Sequence, residues 1–309
     1  MGYKIVKEKE NSTNPEKKDF NINIEVPKWT LNELALSSAI KDQIDEIVAY
    51  IKNRDILLDE WEFKKFLKSG NGISINFFGQ PGTGKTVTAE AIADKLGVNI
   101  IKVNYGELES ELVGRTSKNL SELFAIAENS RSLLFFDEAD TLLSKRISNL
   151  SQAADYGVNS VRATLLTLLE KFNGVIIFAT NLFENYDEAF IRRILFNIEF
   201  TLPDTTMRIQ LWEFHLSPKI PKEISYDKAA EISEGLAGGD IKNITFKLAL
   251  KLLTKKIESI SEDIMKEEIQ KYLQTKEQHK KGRSLESSTV TFKSDVKIDS
   301  NVLSTDMSN

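Results

Sequence analysis

The run Gly79-Gln80-Pro81-Gly82-Thr83-Gly84-Lys85-Thr86 constrains this chain more than any other feature. It satisfies G-x-x-x-x-G-K-[ST] at every fixed position, a pattern whose backbone wraps phosphate groups. Its flanks agree. Ile73-Ser74-Ile75-Asn76-Phe77-Phe78 is short, β-branched and aromatic, as a buried strand should be, and Val87–Leu96 is alanine-rich and predicts a helix. Glycines let successive N–H groups turn toward an anion, and the helix N-terminus adds positive potential. Lys85 supplies a point charge near the outer phosphates, and the Thr86 hydroxyl can ligate Mg²⁺. An ordinary glycine-rich turn would need neither the lysine nor the flanking elements.

Composition narrows the remaining possibilities. The 309 residues are 41% hydrophobic, enough for one large or two modest domains. Net charge is −5 and no long basic stripe is present, so duplex DNA binding is not favoured. Cysteine is absent, which excludes disulfides, cysteine-bound zinc and thiol catalysis. His215 and His279 are too few for a His-rich metal site. No apolar run reaches the roughly 18 residues of a spanning helix. Met1–Lys18 lacks the apolar core of a signal peptide. The expectation is a cytoplasmic protein with no membrane partner.

Along the chain, residues 1–33 read as an extension and linker, with a polar stretch at 7–19 and strand-like alternation at 20–26. A helix is expected over Leu34–Asn53, with Ile40, Ile44, Ile47, Val48 and Ile51 on its apolar side. A short one follows over Glu60–Lys68, ended by Gly70 and Gly72. Strand candidates at 73–78, 99–103, 132–136, 174–179 and 196–201 alternate with helical periodicity. That alternation predicts an α/β domain over 34–203, a doubly wound parallel sheet with ligands at the carboxyl ends of its strands. Residues 204–280 read as a small helical domain, with helices near 205–215, 226–234, 239–256 and 261–280. Residues 281–309 are polar and are expected to be a disordered tail, with 289–298 able to form a strand against a partner.

Two further strands end in chemistry. Leu133-Leu134-Phe135-Phe136 runs into Asp137 and Glu138. Beside a phosphate loop, Asp137 would hold Mg²⁺ through water and Glu138 would act as general base on an attacking water. Val175–Thr180 runs into Asn181, whose amide can both donate and accept and so can contact a γ-phosphate or orient that water. Later, Arg192 and Arg193 precede the final strand, where an arginine can stabilise transferring phosphoryl charge from a neighbouring subunit.

GQPGTGKT, LLFFDEAD, FATN and DEAFIRR, in this order and followed by helices, resemble the AAA+ ATPases, in the AAA branch proper. The likeness covers roughly residues 35–255. It implies a P-loop NTPase domain with a helical lid, using ATP and Mg²⁺. It also implies a ring of identical subunits, usually a hexamer, with ATP between neighbours. By position Asn181 matches the polar sensor and Arg193 the first arginine finger, with Arg192 supporting the geometry. The second finger common in that branch has no counterpart in Arg193-Ile194-Leu195-Phe196. Lys242, in Gly238-Gly239-Asp240-Ile241-Lys242-Asn243, stands near the second sensor and could approach phosphate as a point charge. Leu112 and Val113 align with the substrate-gripping pore loop, with Leu112 in place of the usual aromatic. Ile147–Val158 could be a second pore loop. Residues 159–166 look like those of small bacterial relatives, and within these like ATPases that remodel HORMA-domain proteins beside cyclic-nucleotide antiviral systems.

The resulting expectation is a ring-forming ATPase that remodels a partner protein, with a HORMA-domain protein as a named candidate. A nucleic-acid loader or motor, an assembly ATPase of a larger protein machine, and a nucleotide-gated scaffold are the other classes. The acidic balance and the lack of a helix-turn-helix signal stand against the loader. Glu138 and Arg193 stand against a scaffold with no turnover.

Overall fold

The computed structural model describes residues 22–65, 72–104, 116–144, 153–181 and 186–291. Within them the apolar runs become one six-stranded sheet. Its strands are β1 (Ile24–Glu25), β2 (Ile73–Gly79), β3 (Ile100–Asn104), β4 (Leu133–Asp137), β5 (Val175–Thr180) and β6 (Phe196–Phe200), in the spatial order β1-β3-β4-β5-β2-β6. All neighbours run parallel except β1, which lies antiparallel on β3 with Ile24 opposite Ile101. The expected parallel sheet therefore gains an antiparallel edge strand from the N-terminal segment. The strand carrying the phosphate loop is interior. Ile75 faces Ile177 on one side and Phe196 on the other. Strands covered on both faces need continuous apolar runs, and Leu133–Phe136 is buried throughout.

Helices supply the cover. In α1 (Ser38–Lys52), Ile40, Ile44, Ile47 and Val48 form the buried stripe. Next come α2 (Lys85–Leu96), α3 (Thr116–Ser130), α4 (Asp140–Leu143), α5 (Ala153–Lys171) and α6 (Glu188–Ile191). One core gathers Phe124, Phe136, Phe172 and Phe178. Phe136 stacks on Phe178 at 5.3 Å and Phe124 meets Phe172 edge-on at 5.1 Å. Each such ring contributes about 1.5–3 kcal/mol by leaving water.

Of the helix expected at Glu60–Lys68, the described part, residues 60–65, is not α-helical, and residues 66–68 lie outside the described residues. The described part begins at the end of a π-type turn, Ile56–Glu60, and Phe63–Lys65 is a single 3₁₀ turn. Glu62, at φ 61°, breaks the run.

The described chain divides into two compact units. The second begins at Thr201 and takes in Ala35–Ser37 and Pro81–Thr83; the remaining residues up to Phe200 form the first. From Thr201 onward the second unit is helical: α7 (Thr205–His215), α8 (Tyr226–Ile232), α9 (Gly238–Leu253) and α10 (Glu262–Thr291). Asp204 and Ser225 cap α7 and α8 by accepting from Met207 N and Lys228 N. Trp212 is fully buried, and its indole N–H donates to Ser233 Oγ at 2.8 Å. Buried Asp240 accepts from Ala237 N, Tyr272 Oη and Lys276 Nζ at 3.0, 2.8 and 2.7 Å. Helix α10 extends to Thr291, and its Glu-, Lys- and Gln-rich part up to Lys281 has the composition that favours helix. Residues 292–309 lie outside the described residues.

Candidate active site

The site grows from the end of β2. Gly79 sits at φ 137°, and a Cβ there would lie 2.2 Å from Phe200 O. Only glycine lets β2 pass β6 this closely while the chain turns off the sheet. Gly84, at φ 105°, turns the chain again into α2. Lys85, at 8% exposure, then projects its ammonium back over the loop. Its Nζ donates to Gly79 O at 2.7 Å, Gln80 O at 3.0 Å and Asn181 Oδ1 at 3.1 Å. All three donors are thus used. Burial lowers the Lys85 pKa, while the carboxylates of Asp137 and Asp140 oppose that shift.

The Lys85–Asn181 contact joins residues 96 positions apart. It exists because β5 is the direct neighbour of β2, with Phe78 opposite Thr180, so both strands end at the same level. The remaining polar groups assemble on the same edge. Thr86 Oγ1 donates to Asp137 Oδ2 at 3.2 Å. Asp137 Oδ1 accepts the N–H of Glu138 at 2.9 Å. Glu138 takes a left-handed conformation, φ 51°, unusual for a residue with a Cβ. That turn leaves Glu138 exposed, while Ala139 N is fixed to Ala179 O at 2.9 Å. Asp140, which the sequence reading did not single out, accepts from Asn181 N at 3.2 Å. Its position in the D-E-A-D run, just after the strand end, was the available signal.

This donor set fits Mg²⁺ with a nucleotide phosphate. A hydroxyl and a carboxylate are hard oxygen ligands, and Mg²⁺ bound with phosphates needs only one or two of them from the protein. The loop supplies a turned backbone and a cation, as a phosphate requires.

The two arginines have different surroundings. Arg193 is turned inward. Its Nη1 donates to Ala189 O at 2.7 Å and its Nη2 pairs with Glu170 of α5. Its Nε is buried with no hydrogen-bond partner among the described residues. Arg192, expected to play the supporting part, has a side chain 78% exposed and, among the described residues, pairs with Glu188 one turn back, also in solvent. Flanking it, Ile191 and Leu195 are exposed apolar side chains. Arg192 is thus the more exposed of the two, and Arg193 the more engaged by its own subunit.

Lys242 is exposed at the start of the second turn of α9, in the second unit. Its charge reaches half-buried His215, whose pKa is lowered by burial and then by Lys242. Leu112 and Val113 fall in 105–115, and the first part of Ile147–Val158 falls in 145–152; both stretches lie outside the described residues. No described helix is long and apolar enough to cross a membrane.

Comparison with known proteins agrees with this geometry. Residues 75–203 match the family described as "ATPase family associated with various cellular activities (AAA)". The chain is 30% identical over 210 residues to a proteasome-activating nucleotidase of Methanococcus maripaludis (strain C7), covering 65% of this chain and 51% of that protein. It is 29% identical over 252 residues to an ATP-dependent zinc metalloprotease FtsH of Ureaplasma parvum serovar 3, covering 78% and 33%. The chain thus spans about half or less of these curated relatives. Among solved structures, the FIGL-1 AAA domain superposes with a TM-score of 0.64 at 20% identity, covering 81% of this chain and 85% of that one. That likeness shows the fold: an α/β P-loop unit with helices following it.

Proposed function

We propose that this chain is an ATPase that works as a ring, a hexamer by the family resemblance, and remodels a partner protein. The convergence of Lys85, Asn181, Thr86 and Asp137 at 3.1–3.2 Å from one another in pairs carries the ATPase reading. ATP with Mg²⁺, when bound, supplies the phosphoryl group and the charge that neutralises it. Lys85 and the N–H groups of the Gly79–Thr86 loop, Pro81 excepted, bind the phosphates. Thr86 and Asp137 hold the metal. Glu138, exposed at the strand end, takes the proton of the attacking water. Asn181 orients that water, with its own backbone held by Asp140. Arg192 is the group offered to a neighbour's site, and Arg193 holds the turn. A protein substrate is supported by the relatives' names, which describe proteasome activation and proteolysis. Leu112 and Val113 would press on that substrate, so Leu112→Asp should remove action on it while basal turnover survives.

Nucleotide binding and hydrolysis test the core of this reading. Wild-type protein should bind a fluorescent ATP analogue with Mg²⁺ and release phosphate from ATP. Lys85→Ala should lose the binding itself, because the only cation at the loop carbonyls among the described residues is removed. Wild-type protein without turnover, or Lys85→Ala with unchanged affinity, contradicts it.

The finer reading takes a HORMA-domain protein in antiviral defence as the partner. It rests on the likeness of residues 159–166. ATP-dependent release of a peptide from a closed HORMA domain would support it. ATP-dependent affinity for DNA, with every HORMA candidate unchanged, would move the reading to a nucleic-acid loader.

A further inference from the structure

Behind the phosphate loop runs a buried chain of side-chain hydrogen bonds that the ATPase chemistry above does not use. Thr180 is the last residue of β5, adjacent to Asn181, and is 1% exposed. Its Oγ1 meets the hydroxyl of Tyr186, itself 4% exposed. The Tyr186 hydroxyl donates to Asn76 Oδ1 at 3.2 Å. Asn76, fully buried in the middle of β2, donates in turn from Nδ2 to Asn197 Oδ1 of β6 at 3.2 Å. A phenol has one proton to give. Since Tyr186 gives it to Asn76, Thr180 must donate to Tyr186. The chain is therefore directional, from β5 through Tyr186 to β2 and β6.

Buried polar groups of this kind cost stability unless they are satisfied, and an apolar side chain would fill Asn76's place at lower cost. What the chain gains is a defined connection. Tyr186 leads directly into Asp187, whose carboxylate caps α6 by accepting from Ala189 N at 2.9 Å. Backbone contacts anchor the same point: Asp187 N donates to Leu143 O at 2.8 Å, and Tyr186 bridges to Ser144. Helix α6 then ends in Arg192 and Arg193. So the Tyr186 hydroxyl ties the start of the arginine-bearing turn to the strand whose next residue is Asn181.

We infer that Tyr186 is a positioning residue, whose hydroxyl couples the state of Asn181 in a subunit's own site to the placement of the arginine that subunit offers to its neighbour. This rests on the roles proposed above for Asn181 and the arginine pair. The hydroxyl contact makes Thr180 and Tyr186 move as one, so a shift of the β5 end on nucleotide binding reaches Asp187 and the turn beyond. Without it the ring of Tyr186 still fills its space, but the hydroxyl link between Thr180 and Tyr186 is lost.

Four proteins test this: wild type, Tyr186→Phe, the double variant Asn76→Leu with Tyr186→Phe, and Asn181→Ala. Each is assayed for thermal unfolding, affinity for a fluorescent ATP analogue with Mg²⁺, and steady-state kcat and KM. Loss of one hydrogen bond from the coupled state predicts that Tyr186→Phe lowers kcat by about tenfold, with KM and nucleotide affinity unchanged within about twofold. Its Tm falls, because Asn76 Oδ1 is left without its donor. The double variant removes that orphaned amide, and Asn197, exposed on β6, turns to water. Its Tm should return toward wild type while kcat stays low. If Tyr186→Phe melts below the assay temperature, the double variant carries the test alone. A kcat that recovers together with Tm overturns the inference, since the network is then structural only. A wild-type kcat in Tyr186→Phe beside an inactive Asn181→Ala also overturns it, and leaves the site assignment standing. Full turnover in Asn181→Ala removes the assignment of Asn181, and the inference with it.

Discussion

The two sides of the proposed reaction are built in opposite ways. The nucleotide side is wired in advance. Lys85, Asn181, Thr86, Asp137 and Asp140 hold one another through hydrogen bonds of 3.1–3.2 Å within one subunit. The arginine side is not. Arg193 is engaged by Glu170 and Ala189 O, and Arg192 stands in solvent with one exposed ion pair. An exposed ion pair of this kind contributes at most about 1 kcal/mol. A guanidinium fixed that weakly is free to be captured by a better anion. The contrast teaches that a lone subunit can be organised for binding yet lack the charge that stabilises transfer, so turnover should depend on a neighbour.

The largest expected effect comes from breaking the arginine side. Arg192→Ala should keep nucleotide affinity and lose turnover by roughly 10³–10⁵, the range for a trans-acting arginine. Arg193→Ala should lose less activity and show a lower Tm, because it removes the clamp on α6. Steady-state phosphate release and thermal unfolding on both variants settle the order. The reverse order, with Arg193→Ala inactive but fully stable, would return the outward role to Arg193.

Next in size is the wired side. Glu138→Gln should bind ATP and lose roughly 10²–10⁴ in turnover, since an amide cannot accept the water's proton. Retained binding with turnover within a few-fold of wild type in a phosphate-release assay would remove Glu138 from the base role.

Much of the wired side was readable in the sequence, and the reason is local. Gly79, Gly84, Lys85 and Thr86 act through backbone conformation and one helix start, both set by neighbouring residues. Asp137, Glu138 and Asn181 end apolar runs, so strand alternation alone placed them on one edge. What the sequence hid depends on pairing across the chain. Asn76 was visible as a polar residue inside an apolar strand, but its partners are 110 and 121 positions away. The same holds for Arg193: only the packing of α5 brings Glu170 to it, so nothing in the I-R-R run shows which arginine faces out. The short helix expected at Glu60–Lys68 is not α-helical over its described part. Its periodicity is compatible with a helix over 60–65, but Glu62 takes a positive φ of 61°, which periodicity does not show.

A smaller effect sharpens the comparison. Glu170→Gln frees Arg193 without removing it. The pair is half-exposed, so its loss should cost no more than about 1 kcal/mol, a Tm decrease of about 1–4 °C. If Arg193 is a clamp, turnover stays flat or falls slightly. A clear rise in turnover would mean that Glu170 restrains a working finger.

The smallest effect is in the helical unit. His215 has its pKa held below the ordinary 6.5 by burial and by Lys242. The unfolded chain therefore binds more protons in the window below about 6.5, and stability there rises with pH. The contribution is present above 6.5 and is lost as pH falls through the lowered value. Thermal unfolding between pH 5 and pH 7.5 should show this slope, about a pKa window wide, and Lys242→Ala should make it shallower. An unchanged slope in that variant would remove Lys242 from His215's surroundings.

The central claim, that each site is completed by its neighbour's arginine, is tested most directly by mixing two inactive proteins. Arg192→Ala keeps an intact nucleotide pocket and Lys85→Ala keeps an intact arginine. In randomly mixed rings at equal amounts, about a quarter of the head-to-tail interfaces join the two intact halves. Phosphate release should therefore rise from near zero in each protein alone to a substantial fraction of wild type, and fall again when either partner is in large excess. No recovery in rings shown by native mass spectrometry to be mixed would contradict the account.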